Sequence, residues 1–190
     1  SYTYNNYYAD QDAISVEDNS IEPLYRTDFR ESRINITSFI KKRINQQNNF
    51  QAGFAAIYFM SNLNDSILNP EGEYFDDLTK YTGDAWLLQP YLTWQFKLRE
   101  NIVFNAGLRG QFYTFNSTSS IEPRLGVKWH ITPKSALNFG YGLHSQILPS
   151  VVYNKESRQP DGTYQKFNSD LSMLKSHHFV VGYDLAINDY

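Results

Sequence analysis

Alternation of apolar and polar residues between positions 85 and 147 constrains the fold of this chain more than any other feature. In its first segment the apolar residues occupy every second position: Trp86, Leu88, Pro90, Leu92, Trp94, Phe96 and Leu98. The positions between them carry mostly amides, hydroxyls and charges: Leu87, Gln89, Tyr91, Thr93, Gln95, Lys97 and Arg99. Since neighbouring side chains of a strand point to opposite faces, this pattern predicts one apolar and one polar face. Strands near 15 residues long, against the usual value of about 5–6, favour a membrane-spanning β-barrel.

Six further segments share this alternation, so we predict about seven strands, at residues 32–43, 50–61, 85–98, 102–115, 121–131, 136–147 and 177–187. The second strand is the least regular, because Ile57 and Phe59 fall on its polar face. Residues 1–31, 62–84 and 148–176 are polar and contain proline, so we predict loops there. A short strand at residues 1–8 is the one regular element considered within them.

The links between the predicted strands differ in length in an ordered way. Those after the first, third and fifth strands are tight, whereas those after the second and sixth have roughly 20–30 residues. Only the link at residues 116–120 breaks this rhythm. Outer-membrane barrels have short periplasmic turns and longer extracellular loops, and loops above about 12–15 residues are uncommon in compact domains. We therefore predict an all-β fold, an antiparallel transmembrane β-barrel segment with 1–31, 62–84 and 148–176 as extracellular loops.

Strand pairing inferred from the tight links places polar side chains opposite one another. The expected pairs are Tyr91–Arg109, Gln95–Asn105, Gln111–Arg124, Tyr113–Glu122, Arg109–Gly126, Lys128–Gly140 and Arg124–His144. A shift by one residue would move every side chain to the other face, so the pairing supports the alternation.

Composition excludes several other classes of protein. The 190 residues contain no cysteine and carry a formal net charge of −3, which excludes disulfide scaffolds and gives no basic patch for nucleic acid. No run approaches the roughly 18 apolar residues of a membrane helix. Neither a nucleophile paired with a base nor a glycine-rich phosphate loop stands out, so we expect no enzymatic activity and no cofactor.

A family resemblance appears in the second half of the chain. Residues 121–129 read IEPRLGVKW, residues 132–135 read TPKS, and residues 137–142 read LNFGYG. This series resembles TonB-dependent outer-membrane receptors of the Bacteroidetes type, where an EPR-bearing strand, a short turn and a glycine–tyrosine strand recur. The letters LKS at residues 174–176, directly before a predicted strand, are similar to the loop-to-strand transitions of that family.

The resemblance implies a bacterial outer-membrane location and a barrel of about 22 strands with a plugged lumen. It also implies uptake of a bulky nutrient (a glycan, a peptide or a metal chelate), powered by the TonB complex acting through the plug. A surface lipoprotein is a further candidate partner. The sequence shows neither a plug-like segment nor a TonB box, and seven strands cannot close a barrel. Since no signal peptide precedes Ser1, we expect an internal portion of a larger barrel.

Candidate site residues follow from the predicted faces and loops. Six polar-face residues are predicted to line the lumen or to face the plug: Lys97, Arg109, Glu122, Arg124, Lys128 and His144. They would dock a plug or an anionic solute, or else pair with one another to satisfy buried charge. Four loop tyrosines are predicted to contact ligand at the mouth, or else to pack the loops: Tyr74, Tyr81, Tyr153 and Tyr164. The loop acids match no calcium-binding pattern and the histidines have no carboxylates at metal-ligand spacing, so no metal site is expected.

Two other functions compete with nutrient uptake. The first is an outer-membrane barrel with a structural or assembly role, such as part of a secretion complex, which would have no plug and no TonB box. The second is a soluble, β-rich carbohydrate-binding module, which the apolar face at residues 86–98 disfavours because such a module exposes that face to water.

Overall fold

The computed structural model describes residues 1–14, 21–69, 74–158 and 163–187 of this chain. Its strands are β1 (Tyr2–Ile14), β2 (Ile21–Arg43), β3 (Asn48–Leu68), β4 (Phe75–Arg99), β5 (Ile102–Tyr113), β6 (Thr118–Thr132), β7 (Ser135–Gln146), β8 (Glu156–Arg158), β9 (Tyr164–Lys166) and β10 (Leu174–Leu185). A short helix, α1 (Ser150–Asn154), follows β7. In these described ranges no helix has the length and apolar character needed to cross a membrane.

One antiparallel sheet of eight strands, in the order β1-β2-β3-β4-β5-β6-β7-β10, curls into half a barrel. β8 and β9 pair separately as a small hairpin. The predicted all-β, antiparallel, barrel-like fold is therefore confirmed. The main sheet has eight strands, one more than the seven expected from the alternation, because β1 joins it beside β2.

The two faces of the sheet have opposite polarity. The predicted apolar residues lie on the convex outer face, where Leu92 is 49%, Leu125 59% and Phe179 77% exposed. The predicted polar residues lie on the concave inner face, where Gln89 is 7% and Glu122 1% exposed. A protein folded in water normally hides its large apolar side chains and exposes its charges, so this sheet has the reverse arrangement.

Short and long connections lie at different ends of the sheet. Three short turns, at residues 44–47, 100–101 and 133–134, lie together at what we call the turn end. The connections between β3 and β4, β5 and β6, and β7 and β10 lie at the opposite end, which we call the loop end. The predicted sorting of connections is thus present, although the connection after β5 is itself a tight turn at residues 114–117.

Two of the three predicted loops consist largely of strand, which corrects the sequence prediction. Residues 1–31 supply β1 and the first part of β2, and residues 62–84 supply the end of β3 and the start of β4. Pairing continues through both, with Asn6 opposite Arg30 and Asn62 opposite Thr82. Polar side chains occupy both faces here, so the strands leave no alternation in the sequence.

The register between β4 and β5 agrees with the prediction, since Tyr91 pairs with Arg109 and Gln95 with Asn105. The next register is shifted by four residues, because Arg109 pairs with Glu122 instead of Gly126. The reason is the position of the turn, which occupies residues 114–117 rather than 116–120 and includes a left-handed serine at position 117.

Between β6 and β7 the observed register differs from the predicted one by two residues. Arg124 pairs with Gly142 rather than His144, and Lys128 with Asn138 rather than Gly140. Shifts of two or four residues keep each side chain on its face because the strand repeat is two. The criterion that polar residues meet polar residues therefore predicts the faces correctly and leaves the register undetermined.

An apolar cluster covers part of the inner face toward the loop end. Its buried members are Phe59, Ala85, Leu87, Tyr113, Tyr153 and Met173. Tyr153 belongs to α1 and Met173 lies just before β10, so the connection between β7 and β10 folds inward onto the sheet. Ile57 and Phe59 interrupt the alternation of β3 because they face this inward-folded connection.

Polar contacts also hold the inward-folded connection in place. Asn116 Nδ2 donates to the carbonyl oxygens of Ser169 at 3.1 Å and Leu171 at 2.8 Å. At the start of α1, Ser150 Oγ donates to Glu31 Oε2 at 3.4 Å. The predicted loop at 148–176 is thus irregular for much of its described length, yet it packs against β2, β3, β4 and β5 and against the turn after β5.

Candidate functional site

A buried polar network on the inner face joins β5, β6 and β7. At its centre, Glu122 Oε1 accepts hydrogen bonds from Ser145 N at 2.8 Å, from Ser145 Oγ at 2.6 Å and from Gln111 Nε2. Glu122 Oε2 accepts a bond from Arg124 Nη2 at 3.0 Å. Four donors, one of them the partly exposed cation of Arg124, therefore compensate a carboxylate that is almost fully removed from solvent.

The network extends across β4 through amide side chains. Gln89 Nε2 donates to Gln111 Oε1 at 2.8 Å, and Gln111 Nε2 donates to the Ser145 carbonyl at 2.8 Å. Within the described ranges, Ser120 Oγ and Arg124 Nε are buried without a hydrogen-bond partner. The sequence placed both glutamines on the polar face but did not mark them as site residues. It gave no signal for Ser145, because the alternation along β7 assigns position 145 to the outer face.

His144 lies beside Arg124, as the sequence predicted. Arg124 Nη2 is 3.4 Å from His144 Nδ1, and the His144 ring centroid is 4.7 Å from that of His178. Gly142 provides the space for this contact, because a Cβ at that position would lie 2.9 Å from His144 Nε2. The glycine opposite Arg124 therefore lets an imidazole lie against the sheet.

The other predicted inner-face cations lie farther from Glu122. Lys128 Nζ pairs with Asp184 Oδ2 at 3.0 Å, and Asn138 Nδ2 donates to the same oxygen at 2.9 Å. Lys97 is exposed near the turn end. Glu122 and Arg124 pair with each other, as the alternative to docking predicted. Lys128 instead pairs with Asp184, an exposed residue outside the predicted set, and docking of a plug or solute stays a prediction.

Arg109 has a different environment from these paired cations. It is partly buried and lines an inner-face cavity of about 300 Å³ with Gln89, Tyr91 and Arg124. The Arg109 guanidinium therefore lies at an inner-face cavity that a solute or a plug would contact, whereas Arg124 is already paired with Glu122.

A second buried carboxylate lies outside the predicted set. Glu31 is 4% exposed, accepts a bond from Arg33 Nε at 2.6 Å, and accepts one from Ser61 Oγ at 3.4 Å. With the bond from Ser150, it connects β2, β3 and α1. Sequence reasoning missed this residue because residues 1–31 were assigned to a loop.

Of the predicted ligand-binding tyrosines, Tyr81 and Tyr153 contact the same ring, that of Phe115. Tyr74 is 57% exposed at the connection between β3 and β4, and Tyr81 is partly buried in β4. Tyr153 is fully buried between the rings of Tyr113 and Phe115, at centroid distances of 5.8 and 5.5 Å. The burial of Tyr153 fits the alternative prediction, in which these aromatics pack the loops instead of binding ligand. The side chain of Tyr164 lies outside the described residues.

Tyr81 contacts the inward-folded connection through its ring. Lys166 Nζ lies 5.4 Å from the centroid of the ring, and Phe115 contacts it edge-on at 6.2 Å. Burial raises the pKa of the Tyr81 hydroxyl, and the carboxylate of Asp84 raises it further. A hydrogen bond with the side chain of Asn154 acts in the opposite direction and lowers this pKa.

Searches with protein-family models and among curated proteins found no match to this chain. In the described part of the chain, no three histidine or acidic residues gather in a way that would hold a metal ion. What the inner face does offer is a set of fixed amides, hydroxyls, two buried carboxylates and several guanidinium groups. Such a wall is suited to holding a polar solute or a second protein segment by hydrogen bonds.

Proposed function

We propose that this chain forms part of the wall of a TonB-dependent outer-membrane receptor that takes up a bulky nutrient, namely a glycan, a peptide or a metal chelate. The single observation that carries the proposal is the exposure of a continuous apolar outer face on a sheet whose inner face is polar. Monomeric soluble proteins rarely expose apolar patches larger than a few hundred Å². In a bilayer the same apolar face contacts hydrocarbon, and its removal from water favours insertion.

Aromatic side chains on the outer face support this environment. Tyr58 and Trp86 lie nearer the loop end, with ring centroids 4.7 Å apart. Phe50, Trp94 and Phe96 lie nearer the turn end, at centroid distances of 5.8 and 5.4 Å. Eight residues separate the two tryptophans, about 27 Å along a strand, or roughly 20 Å across a bilayer for a tilt near 40°. Membrane barrels have aromatic girdles on both sides of an apolar band about 25 Å tall.

The outer face becomes polar beyond Trp86, toward the loop end. Arg30 forms an ion pair with Asp28 at 2.7 Å, and Asn62 Nδ2 donates to Thr82 Oγ1 at 3.0 Å. These residues belong to paired strands, so the sheet continues beyond the apolar band with a polar outer face. We place the loop end outside the cell and the turn end in the periplasm, because outer-membrane barrels keep their short turns on the periplasmic side.

The sheet has open edges at β1 and β10. Unpaired backbone groups at a lipid-facing edge cost several kcal/mol each, so membrane barrels are closed. We therefore propose that further strands complete the barrel, and that a plug fills its lumen as the resemblance of residues 121–142 implies. The buried network around Glu122 then stiffens the wall that the plug contacts, while ligand enters from the loop end.

The test is growth of the parent bacterium with the full-length gene deleted, restored or restored in a strain that lacks TonB. We expect the deletion to abolish growth on at least one glycan, peptide or metal-chelate nutrient, and restoration to require TonB. Uptake that is restored equally without TonB would contradict the proposal. Loss of assembly of other envelope proteins, with normal uptake, would instead favour the structural or secretion role.

A further inference from the structure

A cavity of about 390 Å³ opens on the inner face of β1, β2 and β3 near the loop end. Tyr7, Tyr25 and Phe29 supply aromatic walls, Thr27 and Asp65 supply polar groups, and Val151 of α1 closes one side. The strand register explains the grouping, because Tyr7 pairs with Phe29 and Thr27 with Asp65 across neighbouring strands.

The charge of this cavity is negative and is not balanced from within. Asp65 contributes a carboxylate on the inner face, and the described lining includes no lysine, arginine or histidine. Thr27 Oγ1 donates to Asp65 Oδ1, which orients the carboxylate without neutralising it. Burial raises the pKa of Tyr25, and the negative charge of Asp65 raises it further. The lining thus disfavours an anionic metal chelate, which would need cationic partners.

Aromatic rings next to carboxylates favour a cation, and the same half of the sheet already uses this chemistry. Arg26 Cζ lies 4.2 Å from the centroid of the Phe75 ring, and Arg33 Cζ lies 5.1 Å from that of Phe59. A cation over an aromatic face gains up to about 2 kcal/mol when it is desolvated. The cavity presents aromatic rings and the carboxylate of Asp65 without a cation of its own among the described lining residues.

We propose that this cavity binds an ammonium or guanidinium group of the incoming ligand, so that basic peptides are the substrate class. This assignment depends on the proposed function in one respect, namely that the transported solute passes along the inner face. Asp65 supplies the counter-charge, Tyr25 and Phe29 supply the aromatic faces, and the inward position of α1 completes the enclosure.

The experiment uses the full-length protein in lipid nanodiscs and measures the binding of tetralysine calorimetrically at about 0.02 and about 0.3 M NaCl. Tetraserine and maltotetraose are the uncharged probes. We expect tetralysine to bind, its affinity to fall at the higher salt concentration, and both uncharged probes to bind at least tenfold more weakly. In Asp65→Asn, whose amide oxygen still accepts from Thr27, we expect about tenfold weaker tetralysine binding.

Asp77→Asn is the matched control, because it removes the same charge from an exposed position in β4 outside the cavity. It should leave tetralysine binding unchanged, and Tyr25→Leu should weaken binding more than Tyr25→Phe. Absent tetralysine binding, equal affinity in Asp65→Asn, or equal loss in the two aspartate variants would each overturn the assignment. TonB-dependent uptake that persists despite such a result would show that only the cavity assignment had failed.

Discussion

Leu92 and Thr93 are consecutive residues of β4 that belong to opposite environments. Leu92 lies on the outer face with large apolar neighbours, whereas Thr93 lies on the inner face, which buries the carboxylates of Glu31 and Glu122. The inner face satisfies most of its described buried polar groups through hydrogen bonds, Ser120 Oγ and Arg124 Nε being exceptions, and the outer face leaves its apolar side chains exposed. This difference between the two faces is the observation on which the membrane proposal rests.

The largest expected effect comes from placing a charge on the outer face. Leu92→Arg should destabilise the full-length protein in phospholipid vesicles by about 2–4 kcal/mol, because the guanidinium would enter hydrocarbon near the midplane. Thr93→Arg is the matched control on the inner face and should cost much less. Urea titration of folding into vesicles measures both, and equal small costs would show that the outer face does not meet lipid.

Removal of the central carboxylate tests the inner face. Glu122→Ala leaves Ser145 N and Ser145 Oγ without this acceptor and removes one of the acceptors of Gln111 Nε2. Breaking a buried ion pair costs about 3–5 kcal/mol, and since Arg124 is 41% exposed we expect a smaller value, about 2–3 kcal/mol. Glu100→Ala, at an exposed turn, is the control. An equal cost for both variants in the same urea titration would contradict the role of the network.

A smaller effect is expected where a glycine admits a neighbouring ring. Gly142→Ala brings a Cβ to 2.9 Å from His144 Nε2, whereas Gly140→Ala meets Val180 Cβ at an ordinary 3.7 Å. We expect about 1 kcal/mol of destabilisation for the first and less for the second, since overpacking costs about 1–3 kcal/mol when neighbours cannot move freely. Equal midpoints of urea unfolding for the two variants would show that His144 moves away without cost.

The smallest effect is expected for the exposed ion pair of the inner face. Lys128 and Asp184 have side chains that are 42% and 57% exposed. Such pairs contribute about 0–1 kcal/mol and are screened by salt. Lys128→Ala should therefore change the unfolding free energy by less than 1 kcal/mol, and a larger loss would mean that this part of the inner face is covered in the intact protein.

The sequence predicted the faces of the sheet far better than its extent or its interior. Alternation at Leu92 and Thr93 is readable because the strand repeat is two and one face is apolar. Asn62 and Thr82 pair just as regularly, yet with polar residues on both faces their strands resemble a loop in the sequence. Tyr153 lies in an irregular stretch, and its burial depends on contacts with Tyr113 that are distant in the chain.

Even-numbered shifts explain why the predicted registers were only partly right. Moving Arg124 from opposite His144 to opposite Gly142 keeps both on the inner face, so hydrophobic patterning does not distinguish the two pairings. The buried network was foreseen only through Glu122 and Arg124. Gln89 and Gln111 were placed on the correct face but not marked as members. Ser145 gave no signal, because its position in β7 alternates with the inner-face residues Gly142 and His144.

The most direct test of the central claim is the environment of single cysteines along β4, introduced into a full-length protein without other cysteines; the 190 residues of this chain contain none. Spin labels at positions 90 to 95 would be exposed in turn to a lipid-soluble and a water-soluble relaxation agent in vesicles. We predict that labels at 90, 92 and 94 respond to the lipid-soluble agent and labels at 91, 93 and 95 to the water-soluble one. Equal access of the water-soluble agent to both series would contradict a lipid-facing outer face.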